Sequence, residues 1–186
     1  MGNPKSKTIK GIKEQIWATV LDSTLLHSKI GQKVMLPKNQ LVKTGVLENK
    51  DGWQTVTLDQ PASGRYICVE STSSYDNAPV TAIAELRILD GSGQEVPREE
   101  CTIIFADSEE FERENGFATL MMDNQPTTSW QTQWGSKKPI HPHQVVIDLG
   151  KTMSIIGLRY LPGTQKTKGR IKDFNLYVSK EKFVVK

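Results

Sequence analysis

The residues able to do chemistry gather between Phe105 and Gly150. An acidic run places Glu109, Glu110, Glu112 and Glu114 close together. A glycosidase needs two carboxyls about 5–10 Å apart, one protonated and one ionised, flanking the sugar bond. Near-consecutive acids on a polar loop lack that separation and read as solvated surface. His141 and His143 stand two apart in His-Pro-His, but no third ligand is spaced to complete a catalytic metal site. Cys68 and Cys101 have no second ligand at zinc spacing and read as free thiols, Cys68 within an apolar strand. A disulfide between them would need an approach that sequence alone does not supply. The serines lie in no nucleophile elbow, and there is no P-loop or Gly-x-Gly-x-x-Gly. What remains is a turn-rich stretch with Asp123, Asn124 and Thr128 that leads into Trp130 and Trp134. An aromatic face can take the apolar face of a sugar, while nearby amides and imidazoles take its hydroxyls. These residues point to a binder rather than a catalyst.

The elements that position them are short strands. Trp53, Thr55 and Thr57 alternate with Gln54, Val56 and Leu58, the pattern of a strand. RYICVES, VTAIAELRIL, the apolar stretch 102–105, VVIDLG, IIGLRYL and FNLYVS add further strands, with Ile83, Leu86 and Ile88 as core and Trp130 packed inside. Asp51-Gly52, Pro61 to Gly64 and Asp90 to Gly93 are turn signals, and a polar loop over 71–79 carries Tyr75. The stretch IWATVLDSTLL is ambiguous and favours a strand through its Trp, Thr and Val; residues 1–8 read as a frayed tail. Many short strands with frequent turns predict an all-β sandwich or barrel. No helical pattern is long enough to build an α/β sheet.

The chain has 186 residues, 37% hydrophobic and 24% charged, enough to bury one proper core. No apolar run approaches the ~20 residues of a membrane-spanning helix, and the first residues show no secretory leader pattern. Charge is segregated: nine lysines face three acids in residues 1–50, four arginines face fourteen acids in 51–115, and eleven basic residues face four acids in 116–186. The net of +3 is too small for binding driven by nucleic-acid phosphates.

The segment NGFATLMMDNQPTTSWQTQW, followed in order by PHQVVIDLG, IIGLRYLP and GRIKDFNLYVS, resembles the discoidin-like, coagulation-factor type C family. Within it, the likeness is to family 32 carbohydrate-binding modules appended to secreted bacterial glycoside hydrolases such as chitobiase-like hexosaminidases. WQTVTLDQPASGRYICVESTSS and APVTAIAEL resemble the last strands of the same family. The resemblance implies a galactose-binding-like jelly-roll β-sandwich in permuted or swapped order. Residues 9–186 would form one domain, with 9–100 like the family's back half and 101–186 like its front half. A half sandwich leaves an apolar face and open edges in water, so the halves are expected to close on each other, within one chain or by strand exchange between two.

By the same resemblance, a structural calcium falls on Asp123, Thr128 and Glu85, and the glycan-binding loops fall on Gln131, Trp134, His141, His143, Arg170 and Tyr75. Two positions depart from the pattern: Gln131 stands where relatives often have His, and Gly163 where they often have Arg. The implied function is a non-catalytic carbohydrate-binding module accessory to a secreted, periplasmic or cell-surface glycoside hydrolase. Its partners would be a glycan or oligosaccharide and the parent catalytic domain, not nucleic acid or a membrane interior. The alternative is a structural or protein-contact sandwich domain of such an enzyme that binds no sugar.

Overall fold

The computed structural model describes residues 31–163 and 168–186. The expected strand at 16–26 and the expected tail at 1–8 lie outside the described residues. Eight strands make up the fold: β1 (Leu41–Val46), β2 (Gln54–Ser71), β3 (Ala82–Ile83), β4 (Glu85–Asp90), β5 (Thr102–Ala106), β6 (Trp130–Gln131), β7 (His143–Leu161) and β8 (Asp173–Ser179). Among the described residues the helical elements are three short 3-10 turns, and the molecule is an antiparallel all-β sandwich.

The long strands β2 and β7 carry the architecture. They pair antiparallel from Gln54↔Tyr160 to Ser71↔His143, with register shifts between Thr57 and Ala62 and between Gly64 and Tyr66. At these shifts both strands pass from one layer to the other. Their outer halves pair with each other, and that of β7 also pairs with β4, so that Thr55, Arg159 and Arg87 form one cross-strand row. Their inner halves lie between β8 and β5, and β1 extends the layer beyond β8. β2, from the first half of the chain, is therefore hydrogen-bonded between β7 and β8 from the second.

Alternation along the strands decides which side chains meet. Val56, Leu58, Leu86, Ile88 and Leu158 from one layer and Ile67, Val69, Ile103, Val145, Ile147 and Leu176 from the other share a single core. The expected core residues Ile83, Leu86 and Ile88 are all buried there. Trp130 closes that core, and its indole N–H donates to Ser108 O at 2.9 Å, so the ring is buried without a stranded donor. The alternate residues Cys68, Phe105, Val146 and Tyr177 face the other side, where Val34 and Phe183 cover them. Backbone bonds from Lys33 to Lys186 and from Met35 to Val184 tie this cover together. Cys68 and Cys101 are free thiols, and burial pushes the Cys68 thiol well up.

Two sequence expectations differ in detail. Pro61 to Gly64 is not a chain-reversing turn but a bulged bend inside β2. VVIDLG and IIGLRYL are one strand, β7, which runs through Gly150 at φ +72. Small and turn-forming residues serve bends as well as reversals. Beside the bend, Arg65 grips Asp148 with two hydrogen bonds, of 2.7 and 2.9 Å.

Candidate functional site

Segment 71–84 is the hub of one end of the sandwich. Thr72 N donates to Asp173 O at 2.9 Å, Tyr75 N to Arg170 O at 3.0 Å and Ala82 N to Gly169 O at 2.8 Å. These bonds moor it to the stretch before β8. On its other flank, Thr132 N donates to Thr81 O at 3.0 Å and Thr81 N to Thr132 Oγ1 at 2.9 Å, next to the β3–β6 pairing. The His-Pro-His turn supports it from a third side. His141 Nδ1 and Nε2 lie 3.2 and 3.3 Å from Ser71 O and Ala78 O, and His143 Nε2 lies 3.2 Å from Pro79 O.

Tyr75, Arg170, His141 and His143 are thus brought around one loop, Gln131 pairs with Ala82 at its end, and Trp134 follows two residues beyond Thr132, its backbone N–H on Glu110. They divide by exposure. Tyr75, Gln131, Trp134 and His141 are half-buried. The Tyr75 hydroxyl donates to Leu47 O at 2.5 Å, and Gln131 Nε2 donates to Ser129 Oγ at 3.2 Å. Burial, and then the neighbouring His143 ring 4.8 Å away, hold the His141 pKa below its ordinary value. His143 and Arg170 lie beneath the surface. His143 Nδ1 is 2.9 Å from Asp107 Oδ2, so each ring nitrogen faces an acceptor. Arg170 is ion-paired with Asp51 and reaches Asn49 Oδ1 at 3.5 Å. These two hold the loops from below.

The acidic run is not solvated surface throughout. Glu109 and Glu110 are fully buried, as is Asp107 before them, and only Glu112 is exposed in the way the sequence suggested. Glu110 Oε1 accepts from Glu112 N at 2.8 Å and Arg113 N at 2.9 Å, and Oε2 accepts from Trp134 N and Gly135 N, both at 2.8 Å. Burial raises its pKa, but the four amides outweigh burial and hold the carboxyl below the usual range. Glu109 Oε1 accepts from Ala118 N at 2.7 Å. Asp107 faces Lys33 Nζ at 2.5 Å and accepts from Gln144 N at 2.8 Å. Its burial is likewise outweighed, by His143 and Lys33, and its pKa is lowered. Turn amides that point inward without a strand partner need an acceptor, and a carboxylate can serve several. The sequence carries no signal that separates these buried acids from Glu112.

A second cluster forms where the 3-10 turn Ala118–Met122 and the residues after it pack on β4. Asp123 Oδ1 accepts from Gln125 N at 2.8 Å and Oδ2 from the Thr128 hydroxyl at 2.8 Å. Glu85, at the start of β4, is buried at 1% exposure. The Arg87 guanidinium lies 2.7 Å from Glu85 Oε2 and is its close counter-charge. Burial pushes the Glu85 pKa up, Arg87 pulls against that, and the charge of Asp123 adds to the rise. Two carboxylates, a hydroxyl and turn carbonyls are hard oxygen donors of the kind calcium takes. A buried carboxylate with a second carboxylate nearby calls for a cation, and the Arg87 guanidinium stands there. Among the described residues no three His, Cys, Asp or Glu side chains converge on a metal position.

Residues 105–184 match the F5/8 type C domain family. A sialidase of Micromonospora viridifaciens is 33% identical over 129 residues, which is 67% of this chain and 19% of the sialidase. The chain thus spans about a fifth of the length of that relative.

Proposed function

Because the chain carries an F5/8 type C, discoidin-like domain and aligns with a stretch of a sialidase, we propose that it is a non-catalytic carbohydrate-binding module accessory to a glycoside hydrolase acting outside the cell. The observation that supports this reading is the gathering of Tyr75, Gln131 and His141 around segment 71–84. A sugar stacks on Trp134 or Tyr75, the Gln131 amide bonds its hydroxyls, and the His141 imidazole reaches them by releasing Ser71 O or Ala78 O. His143 and Arg170 hold the loops in place below.

Gln131 in place of the family's His, and Gly163 in place of its Arg, remove two strong hydrogen-bonding groups. Affinity at a single site is therefore weak. The module works by linkage, raising the effective concentration of an attached catalytic domain at its glycan. The strands of the first half, pairing inside those of the second, support the permuted family order over one domain. Asp123, Glu85 and Thr128 would hold a calcium ion, which would add a second positive charge beside the Arg87–Glu85 pair. The chain's own residues then do the positioning, holding the 118–128 segment on β4.

The test is thermal unfolding of the intact chain with galactose, N-acetylgalactosamine, N-acetylglucosamine and chitobiose. A sugar at about ten times its Kd adds about 1.4 kcal/mol of stability, an upward shift of several degrees. At least one sugar is expected to give this shift, and Trp134→Ala to remove it. No shift with any sugar would favour the structural or protein-contact role instead.

A further inference from the structure

Arg87 occupies the space beside Glu85. It stands two residues further along β4, so its side chain emerges on the same face. One guanidinium nitrogen lies 2.7 Å from Glu85 Oε2 and donates to Asn124 Oδ1 at 2.5 Å. The other donates to Leu86 O at 2.9 Å. Asn124 follows Asp123 directly, in the left-handed region at φ +64. Arg87 thus docks the 123–128 turn on β4 while neutralising the buried acid.

Behind the guanidinium stands a second set of partners. Arg87 Nε is 3.9 Å from Glu95 Oε2, and its guanidinium carbon is 5.8 Å from the Trp53 ring centroid. Arg159 uses the same two groups, paired with Glu95 and 4.6 Å over the ring. Arg87 is thus already in reach of Glu95 and the partly exposed Trp53, which it shares with Arg159 and which would hold it if it left Glu85.

We propose that Arg87 is a built-in counter-cation that competes with a bound divalent cation for Glu85 and shifts toward Glu95 and Trp53 when the cation binds. The inference rests on the calcium reading above and concerns how that site is regulated. Arginine suits the role because it stays charged and its planar fork serves Glu85 and Asn124 together. A divalent ion drawing on Glu85 and Asp123 cannot share Glu85 with a guanidinium at 2.7 Å without strong like-charge repulsion. Calcium affinity is thereby set lower than the oxygen donors alone would give. The site becomes responsive to calcium level, and occupancy is reported on the flank of the sandwich at Trp53.

The experiment is a calorimetric calcium titration of the chelator-treated intact chain as wild type, Arg87→Met and Arg87→Lys, with the calcium-free melting temperature of each. Arg87→Met is expected to melt lower without calcium and to bind calcium about tenfold tighter. Arg87→Lys, which keeps the charge but not the fork, falls between, and carries the test if Arg87→Met does not fold. Calcium should change the tryptophan fluorescence of the wild type, and Trp53→Phe should remove the change. A wild type that binds calcium while both variants bind it no tighter overturns the competition and leaves the calcium site standing. Absence of calcium binding in all three overturns the calcium reading and this inference with it.

Discussion

Glu110 is the residue on which the loop end depends most. Its two oxygens serve the amides of Glu112, Arg113, Trp134 and Gly135, joining two turns that share no strand pairing. Glu110→Ala leaves those donors without their acceptor. At about 1–3 kcal/mol for each buried unsatisfied group, partly relieved by water, urea unfolding should show a loss of about 3 kcal/mol or more. A loss within about 0.5 kcal/mol, the size of a surface substitution, would mean the turns hold without it. Two titrations at this end act in separate pH windows. His141 has a lowered folded pKa, so below about pH 6.5 the unfolded chain takes up a proton that the folded chain resists. Stability therefore falls as pH drops below that point, and His141→Asn should flatten this limb of a melting-temperature profile. Asp107 is also lowered, so its contribution is complete above the unfolded value near 3.9 and is lost as pH falls through the folded one. Asp107→Asn should flatten only the acid limb below about pH 4. Sequence reading at this scale succeeded at large apolar residues, as at Ile83, Leu86 and Trp130, which are buried as expected. It failed at Asp107, Glu109 and Glu110 because their partners are amides of remote turns, which leave no local pattern.

At the scale of elements, the fold rests on the two long strands and the place where they cross between layers. Gly157 lies where β7 passes closest to β2, and a Cβ there would stand 2.2 Å from Val56 O. The obstacle is backbone and cannot rotate away. Gly157→Ala should cost about 2 kcal/mol or more in denaturant unfolding. Gly52→Ala is the control, since it has an unfavourable φ of +85 but nothing within 4 Å, and should cost about 1 kcal/mol. Equal costs for the two would argue against a tight β2–β7 crossing. The strands themselves were legible in the sequence from alternation, as in Gln54, Val56 and Leu58 against Thr55 and Thr57. Their continuity was not. Pro61 to Gly64 and the Gly150 region carry residues that suit a reversal and a bulged bend equally well, and only cross-strand pairing decides between them.

For the whole molecule, the pairing of β2 within the strands of the second half places loops from distant parts of the chain at one end. That Tyr75, His141 and Arg170 share one end of the sandwich was expected only from the resemblance; no local pattern carries it, because it depends on hydrogen bonds between stretches about 70–100 residues apart. If Glu85 and Asp123 share a cation across the same closure, calcium should raise the melting temperature of the wild type, and Asp123→Ala should abolish the rise. A calcium-induced rise that survives in Asp123→Ala would put the ion elsewhere. The central claim, that this loop end takes a glycan, is tested most directly by backbone-amide NMR. The intact calcium-treated chain would be titrated with the four sugars named above. The account expects saturable shifts in 71–81, 131–141 and 168–171 and none in the opposite end formed by 90–100 and 151–154. Shifts confined to that opposite end, or no shift with any sugar, would contradict it.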